Sequence, residues 1–139
     1  RRVLFRSYNS SSFDKIKMPL KDSLQNNFAK YPAFVPPMPW LDSIAPAAPA
    51  LKIEVTAGGA TLKWEEANPT KEPLRYVVYR FVNNQPVNLE RNDRIISIQQ
   101  ATELNDADAK KFRQCSYVVT ELDRMWNESK PSNKVGIPN

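Results

Sequence analysis

The sequence contains no histidine and a single cysteine, Cys115. Without histidine, zinc sites that use Cys and His together and nucleophiles activated by His are both excluded. One cysteine cannot form an internal disulfide. Because these absences remove the commonest hydrolytic and zinc-binding designs, we expect neither a metal nor a cofactor.

Long apolar runs are also missing. No stretch reaches the roughly 18 residues that a membrane span needs, and no signal peptide is recognisable, so we expect no membrane insertion. The chain of 139 residues is 41% hydrophobic, which suits one globular domain with an appendage. It begins Arg1-Arg2-Val3 without a methionine, which we interpret as a piece of a longer protein.

The formal net charge is +5, but the basic residues are not concentrated in one part of the sequence. Lysines and arginines are scattered, and only Lys110-Lys111 with Arg113 approaches a cluster. Nucleic-acid-binding proteins usually carry a basic stripe or a motif with interleaved aromatics. A solvated surface therefore explains the charge better than a nucleic-acid partner.

Prolines are concentrated in one segment, YPAFVPPMPWLDSIAPAAPA (31–50). Proline lacks an amide donor and restricts the residue before it, so this segment is predicted to be a stiff, extended connector. Its apolar residues indicate that it lies against protein. Before it, PLKDSLQNNFAKY (19–31) carries an apolar residue every fourth position and is predicted to be a helix, and RRVLF (1–5) a strand.

After the connector the apolar pattern changes to period two. Short β-prone runs separated by Gly, Pro and Asn turns predict six or seven strands. Leu62 and Trp64 fall on one face of their run. The pattern predicts an antiparallel β-sandwich. The predicted strands are 51–55, 60–67, 74–82, 94–98, a short edge strand within 101–112, 115–122 and 133–137.

The order of signals over 46–139 resembles a fibronectin type III domain. Trp64 in LKWEEA matches the buried Trp of the family's second strand, and Tyr76 in LRYVVYRF matches the aromatic that opens the third. YVVTELDRMWNESKPSNKV is similar to the sixth strand, turn and last strand. The resemblance implies a mainly β sandwich. Its expected core includes Trp64, Tyr76, Leu62 and Val119.

Two positions depart from that family. Cys115 stands where the resemblance places the tyrosine of the tyrosine corner, so either Tyr117 takes a related role or the corner is missing. Trp126 stands in the turn where bacterial members commonly have glycine. If the backbone there needs a positive φ, tryptophan carries a steric cost.

In the first segment, the run KDSLQNNFAKYPAFVPPMPWLD (21–42) resembles the end of a bacterial glycosyl-hydrolase-like family 10 barrel. The earlier VLF is similar to the last strand of that barrel. It implies two domains, a barrel remnant with its connector (1–45) and the sandwich (46–139). It also implies an extracellular, cell-surface or periplasmic parent that acts on carbohydrate, with its barrel as the sandwich's partner.

A glycosidase needs two carboxylates across a sugar-sized gap. Before residue 50 the carboxylates are Asp14, Asp22 and Asp42, and none matches a catalytic motif. Glu65 and Glu66 alternate faces. Asp106 and Asp108 share a side, but a solvated loop explains them better than calcium does. We therefore expect no enzymatic activity in this chain, while retained hydrolase activity stays a minor alternative.

Four aromatic residues are candidates for contact with a partner or for stacking on a glycan: Trp126, Tyr79, Tyr31 and Trp40. Trp40 is expected to fill a gap between connector and sandwich. Trp126 lies in a turn, where something should cover it, within the chain or on the barrel. The first hypothesis is a non-catalytic module that docks on or spaces a carbohydrate-active barrel. The alternative is a carbohydrate-binding module that uses Trp126 with Tyr79 or Tyr31.

Overall fold

The computed structural model describes residues 22–67, 74–83, 85–112 and 114–137. The chain divides into two compact units, one ending at Pro32 and one spanning Ala33–Asn139. In the described part of the first unit, Leu24–Phe28 forms a helical segment, and the amide of Ala29 donates to the carbonyl of Leu24 (2.6 Å). That bond spans five residues, so the turn is π-helical where an α-helix is predicted. The predicted strand 1–5 lies outside the described residues.

The second unit is a β-sandwich of two antiparallel sheets. One sheet has the order β1-β2-β5 and the other β4-β3-β6-β7. This three-plus-four arrangement confirms the expected mainly β, fibronectin type III-like fold. The strands are β1 (Ala50–Thr56), β2 (Gly59–Glu65), β3 (Arg75–Val82), β4 (Ile95–Gln99), β5 (Glu103–Asp106), β6 (Cys115–Leu122) and β7 (Val135–Gly136).

The space between the sheets holds the main core. Trp64, Tyr76, Leu62 and Val119 are all buried in it, with no more than 3% of any one exposed. The Trp64 and Tyr76 rings meet edge to face, with centroids 5.6 Å apart. Such aromatic pairs add to the stability that burial alone provides.

A second apolar layer covers the opposite face of the four-stranded sheet. Val77, Tyr79 and Phe81 of β3 point away from the main core, and Val118 and Leu122 of β6 join them. We call this cluster the outer layer. Phe34 of the connector, Leu89, Ile98 and Trp126 pack against it. Strand β3 is therefore buried on both faces, which explains its nearly continuous apolar run.

The outward face of the three-stranded sheet is charged and solvated. Lys52 pairs with Glu65 (2.8 Å) and Lys63 with Glu54 (3.3 Å), across neighbouring strands. Exposed pairs of this kind contribute little stability. The two outward faces of the sandwich thus differ. The three-stranded sheet presents charged side chains to solvent, whereas the four-stranded sheet is covered by apolar residues of the connector and of loops.

Tyr117 takes the role that Cys115 leaves open. Its hydroxyl donates to Oδ2 of Asp106 (2.9 Å), at the end of β5, and so ties β6 to the loop that leads into it. The guanidinium of Arg80 contacts both oxygens of the same carboxylate (2.9 and 2.8 Å). Burial and the Asp106 charge raise the pKa of Tyr117. Because Arg80 occupies the Asp106 carboxylate, the pair Asp106 and Asp108 forms no open cation site.

We predict that Tyr117→Phe lowers the free energy of unfolding by about 1.5–3 kcal/mol, because a buried bond to a charged acceptor is lost. Urea denaturation followed by tryptophan fluorescence measures the change. The matched control is Tyr31→Phe, whose ring is 45% exposed and which should change stability by less than about 0.5 kcal/mol. Equal midpoints for both variants would show that the Tyr117 hydroxyl does not support the corner.

Candidate functional site

The proline-rich connector is fixed to the sandwich by hydrogen bonds to the turn between β6 and β7. The amide of Met38 donates to the carbonyl of Met125 (3.2 Å). The side-chain amide of Asn127 donates to the carbonyl of Asp42 (3.1 Å). Phe34 packs on the outer layer. Residues 33–50 of the connector thus belong to the compact unit that begins at Ala33, while the predicted domain boundary at residues 45 and 46 stays a prediction.

Apolar side chains of the connector also face solvent. Val35, Trp40, Leu41 and Ile44 are 44%, 76%, 61% and 79% exposed. We call these four residues the connector surface. The expectation that Trp40 fills a gap is wrong, because Trp40 lies within a turn closed by the bond from the Leu41 amide to the Met38 carbonyl (2.9 Å). The sandwich leaves this apolar surface uncovered.

Trp126 adopts a left-handed backbone conformation, with φ of 66°. That is the conformation that glycine adopts freely and that a residue with a Cβ adopts at a cost. The ring is half-buried and packs against the outer layer. The guanidinium of Arg75 lies 4.9 Å from the ring centroid. The turn carries a tryptophan because the ring extends the outer layer and binds Arg75, which offsets the backbone strain.

Asp123 organises that turn. Its Oδ1 accepts hydrogen bonds from the amides of Met125 (2.7 Å) and Asn127 (2.9 Å), and its Oδ2 accepts from the Asn127 side chain (2.8 Å). Ser129 and Ser132 then replace a pairing strand, since their hydroxyls accept from the amides of Glu121 (2.9 Å) and Val119 (3.0 Å). Loop side chains therefore satisfy backbone groups that a sheet would otherwise pair.

Tyr79 cannot act as the stacking platform that the sequence suggested. Its side chain is fully buried in the outer layer, and its hydroxyl donates to Oε1 of Glu128 (2.7 Å). The cause is the central position of β3, which is covered on both faces. Tyr31 is 45% exposed, and the Lys30 ammonium lies 5.2 Å from its ring centroid.

A cleft of about 500 Å³ lies between the connector and the end of β6. Glu121 lines it, although only 3% of this residue is exposed. Among the described residues, Oε2 of Glu121 has no hydrogen-bond partner. Glu66, which accepts a bond from the Tyr76 hydroxyl (2.8 Å), lies close enough to repel its charge. Burial, and secondarily Glu66, raises the pKa of Glu121 to about 7.

Sequence reasoning missed Glu121, although a signal was present. In CSYVVTEL, positions 115, 117, 119 and 121 share one face, and the first three lie in the main core. A glutamate that continues this face must lie at the end of the core. The alternation could therefore have singled out Glu121 as a buried carboxyl.

The described residues hold no cluster of three or more His, Cys, Asp or Glu side chains suited to a metal ion. In the same part of the chain, no helix is long and apolar enough to cross a membrane. Within the described residues, the features with binding potential are the connector surface and the cleft at Glu121.

Comparison with known proteins gives a similar protein by sequence and similar structures by fold. No family model matches the sequence. The chain is 34% identical over 131 residues to "Glycosyl hydrolase YngK" of Bacillus subtilis (strain 168). The match covers 91% of this chain and 25% of that protein, so the chain spans about a quarter of the length of this relative.

Two solved enzymes contain a similar sandwich. Pectate lyase PelI from Erwinia chrysanthemi, in complex with tetragalacturonic acid, matches with a TM-score of 0.51 and 21% identity, over 65% of this chain and 28% of that one. A β-1,2-glucanase from Parabacteroides distasonis matches with a TM-score of 0.50 and 20% identity, over 68% of this chain and 13% of that one. At this identity the likeness shows the fold alone.

At position 126 we predict that glycine is more stabilising than alanine by about 1 kcal/mol, because alanine keeps the left-handed strain without the ring. Both variants should unfold more easily than the wild type, which keeps the contacts with the outer layer and Arg75. The measurement is the urea midpoint of each variant.

The control for this pair is Lys130, which is exposed and has no positive φ. There alanine should be more stabilising than glycine, because glycine has more freedom to lose on folding. The same order at both positions would show that Trp126 carries no strain.

The raised pKa of Glu121 predicts that stability falls as pH rises. The folded state holds the Glu121 proton up to about pH 7, whereas the unfolded chain releases it near the ordinary glutamate pKa of 4.5. The stabilisation from the protonated Glu121 carboxyl is complete below pH 4.5 and is lost as the pH rises to and beyond 7. The free energy of unfolding should drop by roughly 2 kcal/mol between pH 5 and pH 8.

Urea denaturation at several pH values measures this slope. Glu121→Gln should flatten it, and Glu103→Gln, a change at an exposed glutamate of β5, should not. A wild-type slope that survives in Glu121→Gln would assign the pH dependence to another group.

Proposed function

We propose that this chain is a non-catalytic accessory domain of a secreted, carbohydrate-active protein, and that it docks through its connector surface on a glycosyl-hydrolase-like family 10 barrel. The observation that supports it most is the connector surface itself. Four large apolar side chains lie together on one short segment with 44–79% exposure. Large apolar side chains left exposed on one short segment are typical of interaction sites.

The connector presents this surface rigidly. Two hydrogen bonds to the turn between β6 and β7 and the packing of Phe34 hold it on the sandwich, and prolines limit its backbone. A pre-organised surface loses little conformational entropy on docking. Trp40 supplies the large aromatic ring that interface centres favour. The sequence similarity to a protein named as a glycosyl hydrolase supports a carbohydrate-active partner.

The carboxylates of the described chain support a non-catalytic role. Glu66 and Glu121 come nearest to a glycosidase pair, because one has a raised pKa and the other lies beside it. However, Glu121 is buried and Glu66 accepts the Tyr76 hydroxyl, so both carboxyls already have structural roles at the edge of the core. Asp106 and Asp123 are occupied by Arg80 and by turn amides.

The alternative function is carbohydrate binding, and the exposure of Trp40 is the observation that favours it. An exposed ring can stack on a sugar face. Trp126 is less suited than the sequence suggested, since Arg75 lies over its ring. Tyr31 keeps an exposed ring in the unit that ends at Pro32.

The double variant Trp40→Ser, Ile44→Ser tests docking. In this chain alone it should change the free energy of unfolding by less than about 0.5 kcal/mol, because both side chains face solvent. In the longer protein that contains the barrel, it should lower the unfolding temperature and expose the junction to protease. Differential scanning calorimetry and limited proteolysis measure these effects.

The control is Val55→Ser, at an exposed apolar residue of the other sheet, which should have no effect in either protein. An unchanged longer protein would contradict docking. Retardation of the wild-type chain by a polysaccharide in affinity electrophoresis, lost in the double variant, would favour the carbohydrate-binding alternative. Turnover of aryl glycosides by this chain would contradict the non-catalytic role.

A further inference from the structure

The cleft at Glu121 combines apolar walls with a buried carboxyl. Leu41 and Ile44 of the connector, Leu74 before β3, and Met125 of the turn line it. Glu121 lies on the same face of β6 as the main core residues Tyr117 and Val119. Such a cleft suits a ligand with an aliphatic body and a polar end.

Most acidic groups around the cleft are already bound within the chain. Asp42 accepts the Ile44 amide (2.9 Å), and Asp123 accepts three bonds from its own turn. Glu121 differs, because its Oε2 has no hydrogen-bond partner among the described residues, even though Arg124 lines the same cleft. A buried carboxyl oxygen without a hydrogen-bond partner is costly to the fold.

The charge near Glu121 favours a cation. Glu66 lies next to it, and two neighbouring carboxyls disfavour each other's ionised form. A cation bound at Glu121 would relieve this repulsion and supply the missing partner. The apolar walls would accommodate an aliphatic chain, as in the side chains of lysine and arginine.

We propose that the cleft binds a basic side chain of a partner protein, with its aliphatic stem against Leu41, Ile44 and Leu74 and its cationic head at Glu121. The cleft is continuous with the connector surface, since Leu41 and Ile44 belong to both. The proposed docking would bring such a side chain to the cleft. Binding of the cation itself is measured on this chain alone, so it is independent of docking.

The probe is n-butylammonium, which reproduces the lysine side chain. Carbon-13 NMR of the side-chain carboxyls follows the pKa of Glu121 with and without the probe. Saturating n-butylammonium should lower this pKa by about 1–3 units, because an opposite charge favours the ionised form. The backbone amides of Leu74 and Met125 should shift at the same time. The control ligand, n-butanol, has the same chain without the charge and should leave the pKa unchanged.

Two variants locate the site. Glu121→Gln should abolish the shifts at Leu74 and Met125, whereas Glu103→Gln, which removes the same charge from an exposed position of β5, should retain them. The proposal would be overturned if n-butanol acted as n-butylammonium does, if the probe produced no shift, or if Glu121→Gln responded like the wild type.

One further result would overturn it. Lys71 lies in segment 68–73, outside the described residues, between Glu66 and Leu74 in the sequence. If Glu121 titrates at its ordinary pKa in the wild-type chain and Lys71→Ala raises that pKa, the chain itself supplies the cation. A different result separates the two proposals. If n-butylammonium binds but Trp40→Ser, Ile44→Ser leaves the unfolding temperature and proteolysis of the longer protein unchanged, the cleft binds a cation and the docking proposal is wrong.

Discussion

The burial of β3 on both faces is the constraint on which the rest of this structure depends. A two-sheet sandwich covers only the inward face of each sheet, yet β3 carries Val77, Tyr79 and Phe81 on the other side. These side chains favour burial, because removing apolar surface from water stabilises the fold by about 25 cal/mol per Å². The connector, the loop that carries Leu89 and the turn that carries Trp126 provide that cover. Through Phe34, the proline-rich segment thus helps to cover β3 before the first strand begins.

The turn between β6 and β7 shows how local strain serves that cover. Trp126 has a positive φ, and the hydrogen bonds of Asp123 fix the turn around it. Asn127 extends the same network to the Asp42 carbonyl of the connector. A glycine would relieve the backbone but would leave the outer layer open beside Arg75. Strain at one residue is therefore balanced by packing that involves two segments far apart in sequence.

The sequence predicted the strands of the sandwich well where period-two alternation, a local signal, is present, as in the runs LKIEV of β1 and ATLKWE of β2. Strand β6 is buried along its whole length, and its β-prone residues predicted it instead. The prediction failed for Tyr79, since a strand buried on both faces has no alternation to reveal which side is covered. It failed for Trp40, since exposure in a connector depends on a turn and not on a period. The cleft depends on residues 41–47, 74 and 121–125 meeting in space, which no local pattern encodes.

The connector surface and the cleft at Glu121 both leave the isolated sandwich less stable than it could be. A carboxyl at the end of a hydrophobic core destabilises an isolated domain, and a leucine there would pack at less cost. The connector surface likewise leaves apolar side chains in water. The proposed partner, with an apolar surface that carries a cation, would lower both costs. Its cation would pair with Glu121, and its apolar groups would cover Leu41 and Ile44. The opposite sheet, with its solvated ion pairs, has no comparable cost to relieve. The asymmetry of the two faces therefore places the proposed docking on the connector side of the sandwich.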